Sequence, residues 1–449
     1  MTWSSLKRLK GICAAISLTA VCVLFALPAE AQRAGAGNDD QAAAPSSRQQ
    51  DGRVIPTIRT AVYDRLNEAQ ICMEEGDLEC ANQTLDRVQA MRDLNNYEVA
   101  QTYNFRAFLA FETDDYDTAL DAYEAMLALP HEDMPDGLIQ SSMRNLATLY
   151  LQLERYDEGL EAYQEWMALP SVEPSSGDYY LLATIYYQIE RYADGIPAIE
   201  QAIELANARG EIGEEGWFQL LYVFYFQLEQ TDRVIETLTF MVENWTKKTW
   251  ALALAGQLSG QGREAETLAL YEAAYDSGWL DRGGELVQFA NLLLQGGAPY
   301  KAAILLEEGL NDGTIESTEQ NWRLSAQAWQ MAQEHEKALP AFERASTLAD
   351  DGEVDRMLTT SLIRLARWDE CTVAARRALT RELGRPDLVN MYLGQCLMSV
   401  GEYAQARTAY ETAARDERSE RDAGRFMQYL QTLVQRAQTN REALASLDN

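Results

Sequence analysis

Cysteine and histidine are the residue types in this chain with the most distinctive chemistry, and there are six of the first and two of the second. Cys13 and Cys22 lie in an apolar N-terminal run, which leaves Cys72, Cys80, Cys371 and Cys396 as thiols that an oxidising compartment could pair in three ways. His131 and His335 are far apart in sequence, each in or beside a polar turn, and read as surface residues. A zinc site or an imidazole-activated nucleophile needs convergent partners that neither has nearby. Asp114-Asp115 and Asp350-Asp351-Gly352-Glu353 lack the alternating ligand spacing of a calcium loop and read as helix-start charge. No glycine loop followed by lysine is present to cradle a phosphate. These residues point to no enzyme, no metal and no cofactor.

The elements that carry the residues come from a helix-turn-helix phrase repeated at intervals of roughly 33 to 40 residues between Tyr63 and Ala413. Its clearest copies are Ala147-Thr-Leu-Tyr-Leu-Gln-Leu-Glu-Arg-Tyr-Asp-Glu-Gly159 and Ala183-Thr-Ile-Tyr-Tyr-Gln-Ile-Glu-Arg-Tyr-Ala-Asp-Gly195. The first helix offers a small residue where its partner crosses closely: Ala107, Ala147, Ala183, Ala255, Ala290, Ala326 and Gly394. Second helices open at Ala81, Ala119, Gly159, Gly195, Val234, Thr267, Ala302, Ala338, Cys371 and Ala406, which gives ten copies. Spacings of three and four keep these positions on one stripe. Val234 and Thr267 lose the small residue, so irregular packing or register is expected there. Pro130 and Pro170 stop their helices.

The register also bears on the thiols. Cys72 closes one helix and Cys80 opens its partner across Gly76, while Cys371 opens a second helix that packs on the helix carrying Cys396. This favours Cys72 with Cys80 and Cys371 with Cys396, with buried free thiols as the alternative. Closing the second loop would stabilise the fold by about 3 kcal/mol on the chain-entropy model.

Lys7, Arg8 and Lys10 precede an apolar run from about Ile12 to Leu27, and Ala29-Glu30-Ala31 follows, the pattern of a cleaved signal peptide over residues 1–31. A periplasmic destination is expected. Residues 32–55 are rich in Ala, Gly, Ser, Gln and Asp and read as a disordered linker. With 70 acidic against 38 basic residues the net charge is −32, which disfavours nucleic acid and anionic lipid as partners.

The repeated phrase resembles the tetratricopeptide repeat family, and Trp322-Arg-Leu-Ser-Ala326-Gln-Ala-Trp329 through Ala338, Phe342 and Ala345 matches its pattern best. The resemblance implies an all-α, right-handed superhelical solenoid of about ten hairpins over residues 56–415, closed by a capping helix and tail over 416–449. It also implies that the first helix of each hairpin lines a concave groove. The exposed positions of those helices are then Asn104, Phe108 and Phe111; Arg144, Thr148 and Gln152; Tyr180, Thr184, Tyr187 and Gln188; and Gln219, Phe226 and Gln227. Aromatic faces flanked by amides suit an extended peptide, because rings cover apolar or proline residues and amides satisfy unpaired backbone. Packing between helices is the plainer alternative for the rings. The family's carboxylate clamp is not matched, since Arg144, Arg323 and Arg356 fall on different hairpins.

The signal, the linker and the repeat array resemble exported adaptors of Gram-negative bacteria. More narrowly, Val54-Ile-Pro-Thr-Ile-Arg, the Cys72/Cys80 hairpin and the paired late cysteines resemble exported repeat proteins associated with TonB and its ExbB and ExbD motor proteins. That resemblance implies a non-catalytic periplasmic scaffold that binds a partner protein or extended peptide in TonB-dependent transport. An adaptor for exopolysaccharide export or outer-membrane assembly is the alternative.

Overall fold

The computed structural model describes residues 47–50 and 53–447, with side chains from 56 to 440. The signal segment and residues 32–46 therefore lie outside the described residues. Within the stretch expected as a linker, Ser47–Gln50 (β1) and Arg53–Pro56 (β2) pair antiparallel, Ser47 opposite Pro56. Val54 and Ile55 are β-branched, and Pro56 sits at the strand end where a missing N–H costs least.

All else that is regular among the described residues is helical, and the chain divides into two compact units, Met1–Val172 and Glu173–Asn449. The first unit holds three hairpins: α1 Thr60–Glu74 with α2 Leu78–Gln89, α3 Asn96–Glu112 with α4 Tyr116–Leu127, and α5 Asp136–Gln152 with α6 Tyr156–Met167. The second holds seven. They are α7 Ser176–Gln188 with α8 Tyr192–Ala208, α9 Glu215–Gln227 with α10 Thr231–Asn244, α11 Lys248–Gly260 with α12 Glu264–Asp276, and α13 Gly283–Gln295 with α14 Pro299–Asp312. α15 Glu319–Met331 with α16 His335–Leu348, α17 Glu353–Arg364 with α18 Trp368–Leu379, and α19 Pro386–Ser399 with α20 Tyr403–Ala413 complete the set, and α21 Glu417–Leu447 packs on the last hairpin.

Every in-hairpin turn spans three residues, and the middle one is left-handed: Gly76, Asp114, Glu154, Glu190, Glu229, Gly262, Gly297, Gln333, Ala366 and Gly401. The next N–H returns to a carbonyl of the helix just ended, as from Asp77 to Cys72 at 2.8 Å, Arg155 to Tyr150 at 2.9 Å and Arg367 to Leu362 at 2.9 Å. This is the Schellman closure, which satisfies a carbonyl the helix end leaves open. Ala366 occupies that position, at φ 55°, without glycine's freedom. Ala366→Gly is therefore expected to stabilise the protein by about 0.5–1 kcal/mol, net of the entropy glycine adds to the unfolded chain. Gly401→Ala, at φ 84°, should shift the thermal melt in the opposite direction.

The small residues of the two helices are buried throughout, and three glycines show why size matters. A Cβ on Gly195 would lie 2.6 Å from the Phe224 ring, on Gly159 2.7 Å from Leu151 Cδ2, and on Gly394 2.6 Å from the Tyr410 ring. At Val234 and Thr267 the turn and its closing bond persist, so the hairpin register does not slip. The α9–α10 pair, which carries Val234, packs least among the ten hairpins, while the pair carrying Thr267 packs as closely as the one opened by Ala302.

The four cysteines among the described residues stand as two bonded pairs. Cys72 joins Cys80 across the first turn, with Cα atoms 5.8 Å apart, and Cys371 joins Cys396, 5.9 Å apart, tying the ninth hairpin to the tenth.

Buried carboxylates also bind hairpins together. Glu98 of α3, fully buried, is gripped by Arg59 through Nη2 at 2.7 Å and Nε at 2.9 Å. Burial pushes its pKa up, but the bonds from Arg59 and Asn95 outweigh this and hold it below the usual range. Asp387 of α19 accepts Arg385 at 2.7 Å and the Ser419 hydroxyl of α21 at 2.7 Å, and the Arg385 bond lowers its pKa most. Asp355 of α17 accepts Arg377 at 2.8 Å, Arg381 at 3.4 Å and Ser346 at 2.6 Å.

Candidate functional site

The residues expected to line a binding surface all fall on first helices of hairpins, four helices in all, two in each unit. In the first unit, Asn104, Phe108 and Phe111 lie on α3, each half-buried, and Phe111 meets Tyr116 of α4 edge-on with centroids 5.8 Å apart. On α5, Arg144 is exposed and lies 5.0 Å over the Trp166 ring, while the Thr148 hydroxyl donates back to the Arg144 carbonyl at 2.8 Å. Gln152 ends α5 and is exposed. Its amide bonds the Tyr116 hydroxyl, which itself donates to Asp114 at 2.7 Å. The Asp114 bond raises the Tyr116 pKa, with the Gln152 amide pulling the other way.

In the second unit the rings are denser. Tyr180 faces Trp217 at 6.2 Å, and Tyr187 sits 6.2 Å from Tyr192 and 6.5 Å from the fully buried Phe224. Tyr187 is thus shared between packing and surface. The Thr184 hydroxyl is spent on the Tyr180 carbonyl at 2.9 Å. Gln188 and Gln227 occupy the same place, the last residue of their helices, Gln227 exposed and Gln188 half-buried. Gln219 is half-buried, and Phe226 is 45 % exposed although its ring leans on Tyr222 at 6.0 Å. Burial raises the pKa of Tyr222, so its hydroxyl stays protonated and available as a donor. Beside Tyr180, a cleft of about 320 Å³ opens between the start of α7 and the loop before α9, lined by Ser175, Ser176, Arg209, Glu211, Ile212 and Trp217. Arg209 donates to the Ser176 hydroxyl from both terminal nitrogens, at 3.2 Å each, and pairs with Glu211.

The aromatic partners Tyr116, Tyr192, Trp217 and Tyr222 belong to the same surfaces and were not singled out from the sequence. A signal was there for two of them: the first residue of a second helix is aromatic at Tyr116, Tyr156, Tyr192, Trp368 and Tyr403. A further feature unread in the sequence is an arginine opening the second helix and pairing with an acid three residues on, as in Arg191–Asp194 at 2.7 Å and Arg263–Glu266 at 2.6 Å.

The histidines lie in different units. His131 contacts the Leu127 carbonyl at 3.0 Å, and His335 lies 3.4 Å from the Ser361 hydroxyl with its pKa lowered by burial and by Arg364. Among the described residues no group of three or more His, Cys, Asp or Glu is placed to hold a metal ion, and no helix is long and apolar enough to cross a membrane.

Comparison with protein families matches residues 179–209, the α7–α8 hairpin, to a tetratricopeptide repeat model. No curated protein matches the chain. Among solved structures, a tetratricopeptide repeat protein from Parabacteroides merdae is 14 % identical, with 59 % of this chain and 99 % of that one covered and a TM-score of 0.30. MamA is 14 % identical over 38 % of this chain and 97 % of its own, with a TM-score of 0.33. Naa15/Naa10 bound to HypK-THB is 14 % identical over 74 % and 51 %, with a TM-score of 0.41.

Proposed function

We propose that this chain is a non-catalytic periplasmic scaffold whose first helices receive an extended, proline-rich segment of a partner protein, and that the partner belongs to a TonB, ExbB and ExbD system. The tetratricopeptide match on α7–α8 supports a protein-binding role, since stacked hairpins present long faces of recurring side chains. One observation carries the reading: in a chain of net charge −32, the α7 and α9 positions Tyr180, Thr184, Tyr187, Gln188, Gln219, Phe226 and Gln227 bear no charge, and Phe226 remains 45 % exposed. Rings cover proline or apolar residues and terminal amides pair with peptide groups that have no helix or sheet partner. The N-terminal basic and apolar run with Ala29-Glu30-Ala31 supports export.

A photocrosslinker at position 227, followed by mass spectrometry on intact cells, identifies the partner. Recovery of TonB-system proteins supports the narrower reading, and recovery of glycan-export proteins counts against it. Phe226→Ala is expected to weaken capture by about 2 kcal/mol, the scale of an aromatic anchor, with the thermal melt unchanged. Equal capture by the variant would remove α9 from the site. Tyr187→Ala is the poorer probe, because the loss of packing against Tyr192 and Phe224 would lower stability too.

A further inference from the structure

The C-terminal helix α21 runs for 31 residues, against 14 and 11 for the helices of the hairpin it packs on. Its first half is seated: Ser419, Ala423 and Leu430 are buried, Met427 packs beside them, and Phe426 stacks on Tyr410 with centroids 5.4 Å apart. Beyond Leu430 no described residue is buried. The remaining 17 residues, 431 to 447, span about 25 Å at the helical rise.

The apolar stripe does not stop where the support does. Ala423, Phe426, Leu430, Leu433 and Ala437 follow alternating steps of three and four, and Val434 flanks them. In the sequence the same steps continue through Asn440 to Leu444 and Leu447. This is heptad spacing, interrupted by one polar residue, Asn440. The charge changes as well. Residues 431–449 carry Arg436 and Arg441 against Glu442 and Asp448, a net of zero (two basic less two acidic), while the whole chain carries −32. Two copies repel one another over most of their surface, and this segment is exempt.

We propose that the stripe from Leu433 onward pairs with the same helix of a second copy, making a dimer through helix-to-helix packing. A seam continuous with an interface already made, self-complementary in spacing and free of the chain's prevailing charge, fits a like helix better than an acidic or a nucleic-acid partner. The inference is independent of the peptide-binding reading, because it uses no residue of α3, α5, α7 or α9.

Sedimentation of the full chain over rising concentration should show a dimer, and raising the salt should leave it intact or strengthen it, as repulsion between acidic bodies is screened. Leu433→Asp with Ala437→Asp should weaken association about tenfold or more, while at concentrations where both proteins are monomeric the melts should agree closely, since both residues are only half-buried. Leu433→Ile is expected to keep the dimer. A monomer at every concentration, a dimer indifferent to the double substitution, or association that dissolves in salt would each overturn the proposal. So would a monomer that co-sediments with phosphatidylglycerol vesicles through Arg436.

Discussion

Asp355→Ala is expected to destabilise the second unit by about 2–3 kcal/mol, one of the two largest effects foreseen for a single interaction here. The carboxylate is fully buried and holds two arginines, Arg377 at 2.8 Å and Arg381 at 3.4 Å, as well as the Ser346 hydroxyl at 2.6 Å. These partners come from α16 and from α18 with the loop after it, so one side chain bonds three successive segments around α17. Its removal leaves Arg377 with Glu343 at 3.0 Å and Arg381 with the Ser346 carbonyl at 3.0 Å, but strips both of their buried counter-charge and the buried Ser346 hydroxyl of its acceptor. Chemical denaturation should show the midpoint fall with the slope retained. Asp355→Asn should cost less, because the amide oxygen still accepts one bond. A loss for the alanine variant within 0.5 kcal/mol, the range of an ordinary surface change, would show that the cluster is solvated in solution.

The second large effect is reduction of the Cys371–Cys396 bond. It closes a loop of sequence separation 25 and should contribute about 3 kcal/mol by restricting the unfolded chain. Both cysteines are fully buried, so reductant should act slowly on the folded protein and fully on the unfolded one. A Cys371→Ser, Cys396→Ser variant should melt lower and lose its sensitivity to reductant at this site. The Cys72–Cys80 bond spans only 8 positions and should contribute less. A melt of the native protein that ignores reductant altogether would place both cysteine pairs outside the energetics of folding.

The hairpin register was legible because close helix crossing demands small residues at fixed spacing, and Ala147, Ala183 and Ala326 advertise it plainly. Each of the ten expected openers lies three residues into an observed second helix, Val234 and Thr267 included. The turns were less legible. Glu154, Glu190, Glu229, Gln333 and Ala366 take a backbone conformation usually signalled by glycine or asparagine, and only the geometry of the two flanking helices imposes it. The strand pair at Ser47–Pro56 was hidden by a composition poor in apolar residues. For the candidate surface, sequence spacing found the exposed Phe226 and Gln227 but could not tell that Tyr187 is half consumed by packing. That depends on Tyr192 and Phe224, which reach it from other helices.

The invariance of the in-hairpin turn has a consequence for how such a chain can change. Each turn has three residues, whereas the joins between hairpins run from three residues, as between Asn244 and Lys248, to eight, as between Met167 and Ser176. The hairpin is therefore a rigid module of fixed pitch and the join is an adjustable spacer. Length can be added or trimmed at the joins, by tags or by natural drift, at the small entropic cost of a longer loop. A residue added inside a turn would rotate every side chain of the following helix away from its partner. New segments should be tolerated at residues 172–174, short of the Ser175 cap, and refused at 153–155, which also marks where a reporter could be placed without disturbing the binding faces.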